Sequence, residues 1–290
     1  MTAVAEAFEA ERARLVRLAY GQLGSLAEAE DVVQDAWLRL QRVDPGEVRD
    51  LRAWLTTAVS RLALDTLRSA RVRRERYVGP WLPEPLVADT GADPADRVTL
   101  DESVGMALLV VLESLSAPER VAFVLHDVFG YEFERVAEVL AITPQAARQQ
   151  ASRARRAVEA RRPRFPATPE RQREVVDAFI AATSGGDMVA LVELLHPDVV
   201  LTSDGGGVVA ASRKPIEGSD RVSRALVALA AKGLKGARIE HVDVNGMPGL
   251  YMEAADGTAG VVGFTVDGGR ITAIDLVRNP AKIRLRGQAP

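Results

Sequence analysis

Glu132-Phe133-Glu134-Arg135-Val136-Ala137-Glu138-Val139-Leu140-Ala141-Ile142-Thr143-Pro144-Gln145-Ala146-Ala147-Arg148-Gln149-Gln150-Ala151-Ser152-Arg153-Ala154-Arg155-Arg156 is the stretch that decides how this chain is read. Glu132 to Leu140 makes a short helix. Thr143-Pro144 then supplies an N-cap oxygen and a first-turn proline, whose missing N–H is harmless there, and opens a second helix to about Ala160. Short helix, three-residue turn and longer arginine-studded helix form the helix-turn-helix pattern, whose second helix lies in the major groove of DNA. On a 3.6-residue period Ala147, Ala151, Ala154 and Val158 make the inward stripe, while Gln145, Arg148, Gln149, Ser152, Arg153 and Arg156 lie toward the other side. Arginine pairs bidentately with guanine and glutamine with adenine, and the remaining arginines neutralise phosphate. Upstream, Ser116-Ala117-Pro118-Glu119 is a capping box with proline just inside a further helix, which Gly130 ends.

The 290 residues are 47% hydrophobic and 27% charged, with a mean hydropathy near zero. No apolar run approaches the ~18 residues that a transmembrane helix needs. Glu6 and Glu9 stand where a signal peptide would carry basic and apolar segments, so a cytoplasmic location without membrane contact is expected. The lack of cysteine excludes disulfides, thiolate zinc sites and a cysteine nucleophile. Three histidines leave little for a metal centre, and neither a metal nor a cofactor is expected.

The net charge of −3 argues weakly against a nucleic-acid partner, but it is an average. Only four of the 37 cations are lysine (Lys214, Lys232, Lys235 and Lys282), a bias that arginine-rich codon usage explains. Position is more informative. Arg68, Arg71, Arg73, Arg74 and Arg76 form one cluster, and Arg148, Arg153, Arg155, Arg156, Arg161, Arg162 and Arg164 form another, interrupted by Glu159. A solvated helix end favoured by the dipole accounts for part of the first cluster, but five arginines around Glu75 exceed that need. Two cationic patches in an acidic chain point to contacts with a polyanion.

Proline and glycine punctuate the chain from Gly79-Pro80-Trp81-Leu82-Pro83-Glu84-Pro85 through Gly91 and Pro94, a linker too long for a loop inside one compact domain. A second break falls at Pro163-Arg164-Phe165-Pro166-Ala167. Domains are therefore expected at about 1–78, 104–162 and 167–290, with the linker over 79–103. In the first, Val32, Val33, Ala36, Trp37 and Leu40 make an apolar helical stripe opposite Glu28, Asp31, Gln34, Asp35 and Arg39. A further helix from about Leu51 into the arginine cluster buries Trp54, Leu55, Val59, Leu62 and Leu67.

The last piece opens with helices from Thr168-Pro169 to Ala182 and from Asp187 to Leu195. Val199–Thr202 reads as a strand followed by Asp204-Gly205-Gly206-Gly207, and Ser219 caps a helix to Lys232. Ile239–Val244, Leu250–Glu253, Ala259–Val266 and Ile271–Val277 alternate like antiparallel strands, with a turn at Asp267-Gly268-Gly269. Helices followed by a curved sheet suggest an α+β cone around a pocket. The three glycines suit a flexible turn, an interdomain contact or a pocket rim, because they admit positive φ and close backbone approach.

Glu30-Asp31-Val32-Val33-Gln34-Asp35-Ala36-Trp37-Leu38-Arg39-Leu40 resembles region 2 of sigma-70-type factors of the extracytoplasmic-function (ECF) class. Ala53-Trp54-Leu55 through Arg61, Asp65 and Arg68 resembles the rest of that region, which melts and reads the promoter −10 element. Leu115-Ser116-Ala117-Pro118-Glu119-Arg120 through Arg156 resembles region 4, which reads the −35 element. The last piece is similar to SnoaL-like domains of the NTF2-like superfamily. Trp81-Leu82-Pro83-Glu84-Pro85-Leu86, Asp204-Gly205-Gly206-Gly207 and Asn279-Pro280-Ala281-Lys282-Ile283 resemble signatures of the sigma-J-like subgroup, the last departing from the usual form at Ala281 and Ile283. The resemblance implies a multidomain chain with all-α sigma regions 2 and 4 followed by an α+β SnoaL-like cone.

The resemblance further implies a sigma factor that directs core RNA polymerase to promoters, with the C-terminal domain modulating it in cis. Asp31, Gln34 and Asp35 would face the β′ clamp helices of polymerase, and region 4 its β flap. Ser60, Arg61, Arg68, Arg71, Arg73 and Arg74 would lie along the −10 surface, positioned by phosphate contacts. Arg148, Gln149, Ser152, Arg153 and Arg156 would meet the −35 element. Trp81, Pro83, Glu84, Pro85, Asp204, Gly205, Gly206, Gly207, Asn279, Pro280 and Lys282 would make regulatory contacts, with no separate anti-sigma factor required. Promoter melting captures a flipped base without hydrolysis, and no GxxxxGK[ST] loop occurs in the chain.

Two other classes fit parts of the chain. One is a helix-turn-helix regulator with a ligand-sensing C-terminal domain, which would bind promoter DNA without polymerase. The other is a SnoaL-like pocket enzyme on a DNA-binding arm. His241 and Asp243 share a strand face and Asp204 or Tyr251 could line the cone, which would make an acid–base pair, although such residues also occur as plain polar groups at a strand edge. The Asp31–Leu40 segment favours the sigma reading, with no catalytic residue.

Overall fold

The computed structural model describes residues 3–74, 77–89, 104–233 and 236–283. The chain divides into two compact units, Met1–Arg76 with Leu108–Arg161 and Tyr77–Ala107 with Arg162–Pro290.

The first unit is helical. α1 (Ala3–Leu23), α2 (Leu26–Leu40) and α3 (Leu51–Arg74) pack through Leu15, Leu18, Leu23, Val33, Ala36, Leu55 and Val59, and Phe8 lies against Trp37 at 4.8 Å between ring centroids. Ser25 caps α2 by accepting from the Glu28 N–H. Burying one face of α2 leaves Asp31, Gln34 and Asp35 exposed on the other.

α4 (Met106–Leu112), whose first turn belongs to the second unit, leads to α5 (Ala117–Phe123). The expected capping box forms there, with the Ser116 N–H donating to Glu119 Oε2 at 3.0 Å. α5 continues into one π-helical turn, Val124–Val128, so Gly130 closes a longer path than an uninterrupted helix would take. α6 (Phe133–Leu140) and α7 (Pro144–Glu159) follow, joined by a turn in which Ala141 adopts φ 54°. Thr143 Oγ1 accepts from the Ala146 N–H, and Ala147, Ala151 and Ala154 are fully buried. Alanine at these three positions lets α7 sit close on its neighbours, while Val158, expected on the same stripe, is half-buried.

In the second unit α8 (Pro169–Gly185), α9 (Met188–Leu194) and α10 (Ser219–Gly233) cover one face of a sheet that starts at β1 (Val87–Asp89). The other strands are β2 (Leu195–Asp204), β3 (Ile216–Glu217), β4 (Arg238–Val244), β5 (Met247–Glu253), β6 (Ala259–Asp267) and β7 (Arg270–Val277), in the order β1-β4-β5-β6-β7-β2-β3. The four strands expected to be antiparallel are so, but β2 runs parallel to β7 and makes the sheet mixed. Alternation sends Leu201, Leu250, Val262, Phe264, Ile274 and Leu276 toward the helices.

The opposite face is also covered. Val242, Val244, Tyr251 and Val261 pack there with Val87 and Ile283. Part of the covering comes from residues 79–89, the described part of the proline-rich stretch expected to be a linker, which folds onto the sheet of its own unit. It adds β1 antiparallel to β4; Leu86 N donates to Asn245 Oδ1 at 3.1 Å, and Asn245 Nδ2 also donates to Val104 O at 3.3 Å. Asn245 and Gly246 form the two-residue β4–β5 turn with φ 51° and 81°, a conformation that favours Asn-Gly.

Asp275 lies on this strap-covered face, in register with Thr202 of β2 and Gly263 of β6. Met106 comes down beside it, since a Cβ on Gly263 would lie 3.4 Å from Met106 Cγ. Burial alone raises the Asp275 carboxyl to about 7. The fold therefore holds this proton more tightly than the unfolded chain, and stability is lost as pH rises from 3.8 through about 7. Thermal melting followed through Trp81, the tryptophan of the second unit, is expected several degrees higher at pH 6 than at pH 8. Asp275→Asn is expected to flatten that difference, and an equally steep slope in the variant removes Asp275 as its source.

Candidate functional site

In the first unit, Gln145, Arg148, Gln149, Ser152, Arg153 and Arg156 line one shallow groove along α7. The arginines are not equivalent. Arg148 Nη2 lies 3.6 Å from Glu134 Oε1 and its guanidinium sits 5.2 Å from the Phe133 ring centroid. Arg156 Nε donates to the Ser152 carbonyl at 3.4 Å, and Arg155, which faces away from the groove, pairs with Asp127.

The α3 residues divide as well. Ser60 is fully buried and bonded to Gln22 Nε2 at 3.0 Å, so it packs α3 on α1 instead of lying on a surface as expected. Its position on the α1-facing side of the helix, between Val59 and Leu62 in the core, is the reason. Arg61 and Arg68 are exposed. Arg61 Nη2 donates to the Glu138 carbonyl of α6 at 2.7 Å, and Arg68 lies 3.5 Å from Asp65. Arg71, Arg73 and Arg74 form the last turns of α3, with side chains outside the described residues, as is Arg76 altogether. Tyr131 takes a 2.7 Å bond from Arg14 Nη1 and lies 3.1 Å from Thr56 Oγ1.

In the second unit the three short signatures converge on one buried ion pair. Lys282 Nζ lies 2.7 Å from Asp204 Oδ2, with side-chain exposures of 6% and 0%. The ammonium also donates to Leu82 O at 2.6 Å and stands 3.1 Å above the Trp81 ring, so three acceptors surround its three N–H bonds. The Asp204 carboxylate accepts from Leu82 N at 3.0 Å, from Tyr77 OH at 2.5 Å and from Gly206 N at 3.0 Å. Tyr77 meets Trp81 edge to face and accepts a 2.9 Å bond from Asn279 Nδ2. Burial first, then the bond and charge of Asp204, push the Tyr77 phenol well above its usual range, which keeps it a donor.

Each glycine of the Asp204-Gly205-Gly206-Gly207 loop has a steric reason. A Cβ on Gly205 would meet Val209 O at 2.0 Å, one on Gly206 would meet Asn279 Cγ at 2.5 Å, and Gly207 has φ 73° beside Val78. Pro83, Glu84 and Pro85 are buried between this node and Asn245, whereas Pro280 is exposed in the single helical turn that presents Lys282. Sequence reasoning missed Tyr77 and Asn245. The Asn-Gly pair between two strand patterns was the signal for Asn245; nothing local marks Tyr77.

The acid–base constellation does not assemble. Half-buried His241 has its Nε2 3.1 Å from the exposed Asp177 of α8. Strand parity sends Asp204 and Tyr251 to the face opposite the helices, where Tyr251 OH lies 3.4 Å from Glu253. The cavity between helices and sheet is about 40 Å³ and is lined by Phe179, Thr183, Leu201, Leu226, Leu250 and Leu276 among others.

Removing one partner of a buried pair leaves an uncompensated charge, so Lys282→Met is expected to destabilise the second unit by about 3–5 kcal/mol in denaturant unfolding. Combining it with Asp204→Asn is expected to recover part of that loss. Losses that simply add would show that the two groups are not energetically coupled.

The chain matches the family Sigma-70 region 2 over residues 7–73 and Sigma-70, region 4 over residues 105–158. It is 44% identical over 287 residues to the ECF RNA polymerase sigma factor SigJ of Mycobacterium tuberculosis, covering 95% of this chain and 91% of that protein. A probable ECF RNA polymerase sigma factor SigI of the same species is 36% identical over 282 residues, covering 97% and 94%. The crystal structure of the M. tuberculosis SigJ superposes with a TM-score of 0.78 at 39% identity, covering 96% of this chain and 97% of the other. An arginine- and glutamine-faced helix-turn-helix, an acidic α2 face and relatives matched over nearly their full length agree: the chain belongs to the ECF family of sigma-70-type RNA polymerase sigma factors.

Proposed function

We propose that the chain carries core RNA polymerase to promoters by two surfaces of its first unit, and that its second unit modulates this activity in cis. The observation that carries the reading is the α7 groove, where six polar side chains share one side of a helix whose other side is alanine. Arg148, Gln149, Ser152, Arg153 and Arg156 meet the −35 element, where arginine and glutamine read base edges and other cations hold phosphate. Arg61, Arg68, Arg71, Arg73 and Arg74 serve the −10 element. Asp31, Gln34 and Asp35 present an acidic, exposed surface to the β′ clamp helices, and region 4 meets the β flap.

By their numbering the two promoter elements lie about 25 base pairs apart, roughly 85 Å of duplex. The bonds of Arg61 to α6 and of Tyr131 to Arg14 and Thr56 hold both surfaces in one compact unit. Promoter engagement therefore requires these bonds to open when polymerase binds.

The second unit acts without turnover in this reading. The cavity between its helices and sheet, about 40 Å³, falls well below the ~300 Å³ of a small ligand pocket, and His241 faces Asp177 and lines neither that cavity nor the larger open recess beside Tyr251 and Glu253. Regulation instead runs through the node at Lys282, so no separate anti-sigma protein is required. No helix among the described residues is long and apolar enough to cross a membrane, which accords with work alongside polymerase in the cytoplasm.

Co-purification with core RNA polymerase, followed by promoter-directed run-off transcription, tests this. The full chain is expected to bind core and to shift promoter DNA only in its presence. Binding to promoter DNA without core would favour a conventional helix-turn-helix regulator. The milder Tyr77→Phe change, which removes one donor to Asp204, is expected to alter transcript yield while core binding persists; unchanged yield removes the node from regulation.

A further inference from the structure

Arg148 and Arg153 are both exposed cations of α7, but the fold treats them differently. Arg153 makes no ion pair among the described residues. Arg148 is held twice, by the Phe133 ring at 5.2 Å and by Glu134 at 3.6 Å. Phe133 is in turn stacked on His126, with centroids 3.9 Å apart and planes 27° from parallel. His126 is placed by the π-helical turn Val124–Val128 and tied through Nδ1 to the Tyr131 carbonyl at 2.8 Å. Arg148 thus rests on an aromatic stack built from the first helix of the motif and the turn before it.

Two consequences follow for how Arg148 can meet DNA. An arginine side chain carries substantial rotamer entropy, and resting on the ring orders it before binding, which favours the fixed geometry of a bidentate pair. Glu134 acts by charge. A phosphate approaching Arg148 meets the full charge repulsion of the Glu134 carboxylate, whereas the uncharged acceptor edge of a guanine meets far less. We infer that Phe133 and Glu134 are positioning residues that commit Arg148 to reading a guanine edge instead of holding a phosphate. The inference rests on the reading of α7 as the −35 helix and deepens it, by separating a base-reading arginine from phosphate-holding ones on the same helix.

The test uses the full chain with core RNA polymerase, transcribing a promoter library randomised across the −35 element in which a transcribed barcode identifies each variant, with the barcodes in the RNA sequenced. The wild type is expected to enrich guanine at one position that Arg148→Ala no longer selects. Glu134→Gln and Phe133→Leu are each expected to lower that guanine preference roughly fivefold, within the range one bidentate base contact supplies, and to leave other positions unchanged. Phe133→Tyr keeps a ring and is expected to retain the preference. Glu134 is 66% exposed, so its replacement leaves the packing intact and serves even if Phe133→Leu disturbs the fold. Glu134→Gln is also expected to steepen the fall of transcription with salt, because Arg148 then gains a phosphate. A guanine preference unchanged in Glu134→Gln and Phe133→Leu, but lost in Arg148→Ala, overturns the inference. Preferences that survive Arg148→Ala overturn the −35 role of Arg148 itself, and the inference with it.

Discussion

The buried bond between Lys282 and Asp204 is the constraint around which the second unit is arranged. Neither charge could be taken from water alone, and a pair of this kind is tolerated only when its remaining lone pairs and protons are also satisfied. The chain meets that condition with groups brought from three distant places: the Leu82 backbone and Tyr77 hydroxyl of the strap, the Gly206 N–H of the loop after β2, and Lys282 in the turn after β7. The Trp81 ring lets the strap accept the cation through an apolar surface as well as a carbonyl. Each contribution has value only if the others are present, so three segments that separately look like loops become one ordered element.

That mutual dependence explains what the sequence disclosed. The helix-turn-helix was legible because its determinants are local: the Thr143-Pro144 start, the alanine stripe and the polar face all follow from one period. The surface of α2 was legible for the same reason. The strap was not, because its prolines and glycines are the residues that mark a linker, and the partner that orders them lies about two hundred residues away. Family resemblance singled out the three signatures as a set but supplied no geometry; the fold shows that they share one carboxylate. Ser60 is the opposite case. It stands among surface arginines in sequence, and only the approach of Gln22 from α1 reveals that it faces inward.

The two-faced burial of the sheet has a further effect on pattern. β6 and β7 carry long unbroken buried stretches, where a sheet with one wet face would alternate more cleanly. Strand parity still decides chemistry. It puts Asp204, Tyr251 and Asp275 under the strap and His241 with Asp243 on the side of the helices, so carboxylates that are near in sequence to a candidate pocket end on the wrong side of the sheet for it. Asp275, a buried carboxyl with no cation partner among the described residues, and Asp204, a buried carboxylate with a full set of donors, lie on the same face, and Lys282 is what separates them.

Charge in the first unit needs the same local accounting. Counting arginines along α7 overstates the positive charge available to DNA, because Arg155 is matched by Asp127 and Arg148 by Glu134, while Arg153 has no ion pair among the described residues. Net attraction to a polyanion depends on the unmatched cations, and selectivity on those whose geometry is set in advance. On the proposed reading of α7, an acidic chain can therefore present a helix whose nonspecific pull on DNA is modest and whose base-reading side chain is ordered beforehand. This division suits a factor that acts on DNA together with a large partner: the partner supplies much of the general affinity, and the factor's own helix needs chiefly to discriminate.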